Sequence, residues 1–104
     1  MTTRIAYGVT ATFPDQATAD DYVAWLEDGH VDAVIAGGAH SALIVRLDLD
    51  KPGDPPRVQT MYVFSTRELY NEYVRLHAPA LRAEGIKRFG NKGVSFQRVV
   101  GEIV

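Results

Sequence analysis

The sequence predicts an α+β domain with the element order β-α-β-β-α-β and an extra helix after the second one. Four segments with apolar or β-branched alternation, at about residues 5–13, 41–49, 57–64 and 94–104, indicate strands. Apolar residues at helical spacing separate the first two strands and the last two. This order is the split βαβ, or ferredoxin-like, arrangement, in which a four-stranded antiparallel sheet carries its helices on one face.

Composition limits the class of protein. A chain of 104 residues can bury one hydrophobic core, so one domain over residues 1–104 is predicted. The formal net charge of −2 disfavours a nucleic-acid partner. The absence of cysteine excludes disulfides and suits a reducing cytoplasm, the predicted location. No apolar stretch is long enough to cross a bilayer and no signal-peptide pattern is present, so no membrane partner is predicted.

The first part of the chain predicts a strand and a broken helix. Apolar alternation begins at Ile5 and stops at Pro14, after which Asp15 occupies a helix N-cap position. The apolar face of this helix has i, i+3, i+4, i+7 spacing and consists of Tyr22, Trp25, Leu26 and Gly29. We expect a break at Gly29, a continuation to about residue 35, and an end at the glycine pair 37–38.

The rest of the chain predicts a hairpin, two helices and a strand. Residues 41–49 and 57–64 are strands joined by a polar turn, with Arg46 on the same side as Ile44. Ser65 and Glu68 have the spacing of a capping box, so the second helix is expected to begin there. Pro79 is placed to start the extra helix, which runs to about residue 89.

Both faces of the predicted sheet are apolar. On the third strand Met61 and Val63 point away from the side that carries Tyr62 and Phe64. A sheet with two apolar faces is normally covered on both. Helices cover one face, and a second copy of the chain is the simplest cover for the other, which predicts a homodimer with its sheets facing each other.

Several segments together resemble a known family. They are Trp25-Leu-Glu-Asp-Gly-His30, Gly37, Arg46, Tyr73 with His77-Ala-Pro-Ala-Leu-Arg82, Phe89, and Phe96-Gln-Arg98. The series resembles an uncharacterised domain-of-unknown-function family in the dimeric α+β barrel superfamily, over nearly the whole chain. Its most specific part is residues 73–82. The resemblance implies two ferredoxin-like sheets closed into a barrel, with pockets between each sheet and its helices or inside the barrel.

Members of that superfamily include cofactor-free monooxygenases, haem-degrading enzymes, small isomerases, cyclases and proteins without known activity. The resemblance therefore implies a fold and not a reaction. This sequence has Ala39 where the family pattern leads us to expect an aromatic residue. That departure implies a wider pocket or a looser loop.

Two histidines are the candidate catalytic residues. His77 and His30 each lie at or just beyond the end of a helical stretch, and imidazole changes charge near neutral pH. The ordinary explanation for His77 is a helix C-terminal cap, and that for His30 is a hydrogen-bonded connector. Asp28, His30 and Asp32 are good ligand types, but on a continuous helix they do not share a face, so no metal site is predicted.

A binding site is predicted from aromatic and basic residues. Tyr7, Tyr62 and Trp25 can line an aromatic pocket, and Arg46 and Arg98 can hold an acidic group in it. The ordinary explanation is that the aromatics are core and the arginines lie at strand ends. Acidic residues dominate before residue 33 and basic ones after residue 74, which indicates either solvated helix faces or a positive rim for an anion.

The sequence thus predicts a small homodimer that binds or transforms a hydrophobic small molecule, neutral or anionic, without a cofactor. Its chemistry would be proton transfer, with His77 or His30 as acid or base and Arg98, Arg46 or Tyr62 polarising an oxygen. The alternative is a non-catalytic dimeric interaction or regulatory module. Haem binding is a weaker third hypothesis.

Overall fold

The computed structural model describes residues 3–104, so residues 1 and 2 of the predicted domain lie outside the described part. Its elements in chain order are β1 (Ile5–Thr12), α1 (Gln16–Trp25), a π-helical turn (Leu26–His30), α2 (Val31–Ala36), β2 (Ser41–Arg46), β3 (Arg57–Phe64), α3 (Arg67–Leu76), α4 (Ala78–Phe89) and β4 (Ser95–Glu102). The predicted order of strands and helices is confirmed, including the extra helix.

The four strands form one antiparallel sheet in the order β2-β3-β1-β4. β1 is central and pairs with β3 from Ile5↔Phe64 to Thr12↔Arg57, and with β4 from Ile5↔Glu102 to Thr12↔Ser95. β2 and β3 form the predicted hairpin. β2 ends at Arg46, earlier than the predicted residue 49. Beyond Arg46 one backbone hydrogen bond joins this segment to β3, from the N–H of Leu47 to the carbonyl of Arg57.

Helix capping agrees with the sequence at one site and differs at another. The Asp15 side chain accepts a hydrogen bond from the Thr18 N–H at 2.8 Å, as the N-cap pattern predicts. The prediction that Ser65 caps the second helix is wrong by one residue. Thr66 has the extended N-cap backbone, and its hydroxyl accepts from the Leu69 N–H at 3.1 Å. Pro79 lies in the first turn of α4, where a missing N–H costs nothing.

The helix breaks where the glycine predicts it. Asp28 and Gly29 inside the π turn have non-helical backbones, and Gly29 has φ +107°, which favours glycine. Helical geometry resumes at His30, so α1 and α2 are offset around this turn. The stop after α2 uses Gly38, at φ +130°, whereas Gly37 keeps a helical conformation.

The hydrophobic core lies between the sheet and the helices. One cluster includes Ile5, Phe64 and Ala78, and the other includes Phe13, Leu26 and Phe89. Ala39 is 5% exposed and belongs to the first cluster, so its small side chain is packed and the expected looser loop is not found. Trp25 was predicted on the buried face of its helix but is only half-buried at the edge of the second cluster.

The opposite sheet face, here called the open face, is apolar and uncovered within one chain. Leu43 on β2 is 65% exposed and Val99 on β4 is 59% exposed, while Met61 and Val63 of β3 lie between these strands. A methyl group added at Gly8 of β1 would lie 2.9 Å from Met61 Cε, so this glycine lets neighbouring side chains close over the middle of the face. The two-faced apolar sheet expected from the sequence is therefore present.

Candidate functional site

A cavity lies between the sheet and the helices. Apolar side chains such as Val9, Val34 and Leu81 form part of its wall. Its polar side chains come from both layers and are Tyr7, Tyr22, His30, Thr60, Tyr62, Tyr73, Arg82 and Arg98. The space open to the centre of a water molecule is ≈ 40 Å³, enough for roughly three waters. In this conformation the cavity admits a very small ligand or one chemical group of a larger one.

Five of the seven predicted site residues line this cavity. Tyr7 and Tyr62 come from adjacent strands with ring centroids 5.9 Å apart, and Arg98 comes from β4. Trp25 and His30 come from the two ends of the π turn. An apolar enclosure with a few convergent polar groups has the features of a small-molecule site.

His77 and Arg46 lie elsewhere. His77 is exposed at the junction of α3 and α4 and packs over Gly37, where an added methyl group would lie 3.0 Å from its Cγ. Arg46 forms an ion pair with Asp20 at 3.0 Å, with both side chains about half exposed. The structure does not bring either residue to the cavity, and their predicted roles stay predictions.

Trp25 and His30 form one wall of the cavity by stacking on each other. Their ring centroids are 4.0 Å apart with an interplanar angle of 25°. The π turn makes this contact, because the left-handed Gly29 turns the chain so that His30 lies back against Trp25. Behind the pair is an open cleft that includes Asp28, Glu84 and Lys87. The stacked rings thus separate the cavity from the outer cleft.

Three buried polar atoms without a hydrogen-bond partner belong to residues that line the cavity. They are His30 Nδ1, Thr60 Oγ1 and Arg82 Nε. Thr60 is 1% exposed, and its hydroxyl lies near that of Tyr22 without the geometry of a hydrogen bond. Buried polar groups are normally paired, and each unpaired one costs about 1–3 kcal/mol. Their concentration here indicates a place for water or for a ligand.

Three tyrosines of the cavity, Tyr22, Tyr62 and Tyr73, are neutral hydrogen-bonding groups. Burial raises the pKa of Tyr22 to about 12 and that of Tyr73 to about 12, and it raises the pKa of Tyr62 further. The Arg98 guanidinium opposes part of the shift at Tyr22 and at Tyr73. Near neutral pH these hydroxyls therefore remain protonated and can donate or accept hydrogen bonds.

His30 is biased toward the neutral imidazole. Burial lowers the pKa of His30 below its ordinary value of 6.5, and the Glu84 carboxylate across the outer cleft raises it by less. A neutral imidazole with an unpaired buried nitrogen can accept a proton. This combination makes His30 the better placed of the two predicted acid–base residues.

The stack supports a prediction about pH, since Trp25 is the single tryptophan of the chain. We expect Trp25 fluorescence to change as His30 becomes charged, with a midpoint below 6.5. The free energy of unfolding should fall as pH drops from 6.5 through the lower folded-state pKa, because the unfolded chain binds the proton more readily in that interval. His30→Gln should remove both effects, and His77→Gln should remove neither. A fluorescence midpoint at or above 6.5 would contradict this prediction.

The sequence-based prediction missed several cavity residues, of which Arg82, Thr60, Tyr22 and Tyr73 matter most. Arg82 lies in the most family-like segment, residues 73–82, in which the sequence analysis assigned the functional role to His77. A second signal was Gly85, because glycine inside a helix costs about 1 kcal/mol relative to alanine. A methyl group at Gly85 would lie 3.4 Å from Trp25 Cη2, an ordinary contact distance, so the Trp25 indole lies directly over this position of α4.

Two kinds of feature are absent from residues 3–104. No group of three or more histidine, aspartate or glutamate side chains in this range could hold a metal ion. No helix in the same range is long and apolar enough to cross a membrane.

Comparison with known proteins places the chain in a family. The sequence matches the family described as domain of unknown function (DUF4286) over residues 4–103. No curated protein matches the chain. Similar solved structures include a dimeric ferredoxin-like protein from an uncultured marine organism, with a TM-score of 0.68 and 16% identity over 98% of this chain and 96% of that one.

Two further structures share the fold at lower identity. A second dimeric ferredoxin-like protein from an uncultured marine organism has a TM-score of 0.74 and 10% identity, over 98% of this chain and 95% of that one. SnoaB, a cofactor-independent oxygenase from Streptomyces nogalater, has a TM-score of 0.65 and 6% identity, over 98% of this chain and 94% of that one. At such identities the likeness shows the ferredoxin-like fold alone.

Proposed function

Since the chain belongs to DUF4286, a family of unknown function, we propose from its cavity that it is a homodimer that binds a hydrophobic small molecule, neutral or anionic, and transforms it by cofactor-free acid–base chemistry. The observation that carries this proposal is the set of three unpaired buried polar atoms on one apolar-walled cavity, at His30, Thr60 and Arg82. A purely structural interior would leave such atoms paired or replace them with apolar groups.

The roles of the residues follow from their chemistry. His30 would take a proton at Nδ1, because its imidazole is kept neutral by burial. Tyr62, held protonated, and Arg98 would polarise an oxygen of the ligand. Tyr7 and Trp25 would form walls against its apolar part. The acid–base role of His77 and the anion-binding role of Arg46 remain predictions. Neither residue lines the cavity, so each role would require a movement of the chain or a contribution from a partner subunit.

The homodimer is proposed to form through the open face. Its exposed side chains include Leu43, Val45 and Val99, and burying apolar area stabilises an association by roughly 25 cal/mol per Å². The two marine ferredoxin-like proteins described as dimeric support this assembly by analogy. Two sheets meeting at this face would form the dimeric α+β barrel. The cysteine-free chain also suits the reducing cytoplasm, where we propose that it acts.

Histidine NMR tests the proposed site. We expect a panel of small aromatic and aliphatic acids, with their neutral counterparts, to contain compounds that shift the His30 resonances saturably and change Trp25 fluorescence. Exposed His40 serves as the internal control and should not respond. A His77 pKa that moves with the same compounds would support its predicted role. Indifference of both His30 and Trp25 to every compound would contradict the proposed site.

The alternative, a non-catalytic dimeric module, is favoured by one observation. The cavity of ≈ 40 Å³ is small, and a fully packed interior is what an interaction module would have. The two hypotheses differ in what happens at His30. If the protein is an interaction module, His30→Gln should leave binding to any partner unchanged. If the cavity binds a ligand, the same substitution should abolish the change in Trp25 fluorescence that the ligand causes.

A further inference from the structure

Arg82 is a cation without a counter-ion in the wall of the cavity. It lies on α4, is half-buried, and has no carboxylate within 4.0 Å among residues 3–104. None of the side chains that line the cavity is acidic. Arg46 offers a contrast, because its guanidinium is neutralised by Asp20 at 3.0 Å. An arginine stays charged at any physiological pH, so Arg82 brings a permanent positive charge to this site.

The edge of the guanidinium that carries Nε and Nη2 is only weakly satisfied. Nε is buried and has no hydrogen-bond partner. Nη2 donates to the Tyr7 hydroxyl at 3.5 Å, the long limit of a hydrogen bond. The two N–H groups of this edge point in parallel, which is the geometry that binds the two oxygens of a carboxylate. A neutral hydroxyl at 3.5 Å is a partner that an anion can displace.

Other polar groups that line the cavity suit an anion as well. Thr60 is 1% exposed, its Oγ1 has no partner, and its hydroxyl can donate. The Tyr73 hydroxyl of the same cavity remains protonated near neutral pH and is another donor. A bound carboxylate would therefore meet a fixed cation and neutral donors, with no acidic side chain to repel it.

We propose that Arg82 anchors a carboxylate of the ligand, which makes the ligand a small monocarboxylic acid whose apolar part lies against Val9, Leu81 and Phe96. This inference rests on the proposed function and assigns the anchoring role to Arg82 in place of Arg46 and Arg98. Only the carboxylate end and a short apolar part fit the cavity as it stands, at ≈ 40 Å³.

The test uses acetate and its uncharged counterpart acetamide as probes, followed by ¹⁵N NMR of the arginine Nε–H groups at constant ionic strength. We expect acetate to shift the Arg82 resonance saturably and acetamide to leave it unchanged. Arg82→Lys should weaken acetate binding by at least about tenfold, because an ammonium cannot present the paired N–H edge. The matched control, Arg75→Lys, changes an exposed arginine of α3 that does not line the cavity, and it should leave acetate binding unchanged.

The outcomes separate this inference from the proposed function. Equal responses to acetate and acetamide, or a shift at Arg98 and not at Arg82, would overturn the carboxylate anchor while leaving a cavity that binds small molecules. No saturable response to either probe at Arg82, His30 or Trp25 would overturn the anchor and remove support from the cavity as a site. The comparison of the two probes on the unaltered protein stands even if Arg82→Lys does not fold.

Discussion

Leu43→Glu is expected to convert the proposed homodimer into a monomer, raising the dimer dissociation constant by at least about 100-fold. Leu43 is 65% exposed on the open face of a single chain, and the proposed interface would bury it. A carboxylate forced into an apolar interface loses its hydration without gaining a partner. Two-fold symmetry places the change twice in every dimer, which doubles its cost.

Light scattering and sedimentation at micromolar concentration measure this effect. Leu76→Glu is the matched control, since Leu76 is 51% exposed at the end of α3, in the helical layer and away from the open face. It should leave the mass of the particle unchanged. If the unaltered protein has the mass of a monomer, or if both variants remain dimers, the open face is not the interface.

Trp25→Ala should lower the free energy of unfolding by about 2–3 kcal/mol, less than the about 3–5 kcal/mol of a fully buried aromatic residue. The indole is half-buried, so it removes less apolar area from water and stabilises the fold less than a fully buried ring does. Its removal also deletes the ring that stacks on His30 at 4.0 Å. We therefore expect the cavity to open into the outer cleft and the His30 pKa to rise toward its ordinary value as water reaches the imidazole.

Urea unfolding followed by circular dichroism is the suitable measurement, because the substitution removes the single tryptophan. Phe89→Ala provides the reference for a fully buried ring, and Trp25→Phe should cost less than about 1.5 kcal/mol because it keeps an aromatic wall. Equal losses for Trp25→Ala and Phe89→Ala would mean that Trp25 acts as an ordinary core residue. A loss below about 0.5 kcal/mol would mean that the stack adds nothing to stability.

The fold could be predicted because its signals are local. Alternation at Ile5 and after, the cap at Asp15 and the break at Gly29 each act over a few residues, and each appears in the structure. The cap at Thr66 was missed because Ser65 has the same chemistry, and only the extended backbone of Thr66 decides between two adjacent hydroxyls. Trp25 has core spacing on α1 but borders the open outer cleft, so part of its indole meets solvent.

The site could be predicted only in part because its lining residues come from eight elements, every helix and strand except β2 together with the π turn. Tyr7, Trp25 and Tyr62 follow from apolar patterning, which places large aromatic residues on the covered side of the sheet or helix. Arg82 and His77 are five residues apart, and no local pattern says which of them faces the cavity. The turn between α3 and α4 decides it, directing the His77 ring onto Gly37 and the Arg82 guanidinium toward Tyr7.

The central position of β1 has a consequence for how the chain is made. β1 is the first strand, yet one of its two neighbours is β4, and the register joins Ile5 to Glu102. While the ribosome synthesises the chain, β1 can pair with β3 as soon as residue 64 has emerged, but its other edge stays unpaired until residue 102 is free. Contacts between such distant residues slow folding, and an unpaired strand edge invites association with other chains. We therefore expect β4 to close the exposed edge of β1 in a late step of folding, after β1 and β3 have paired.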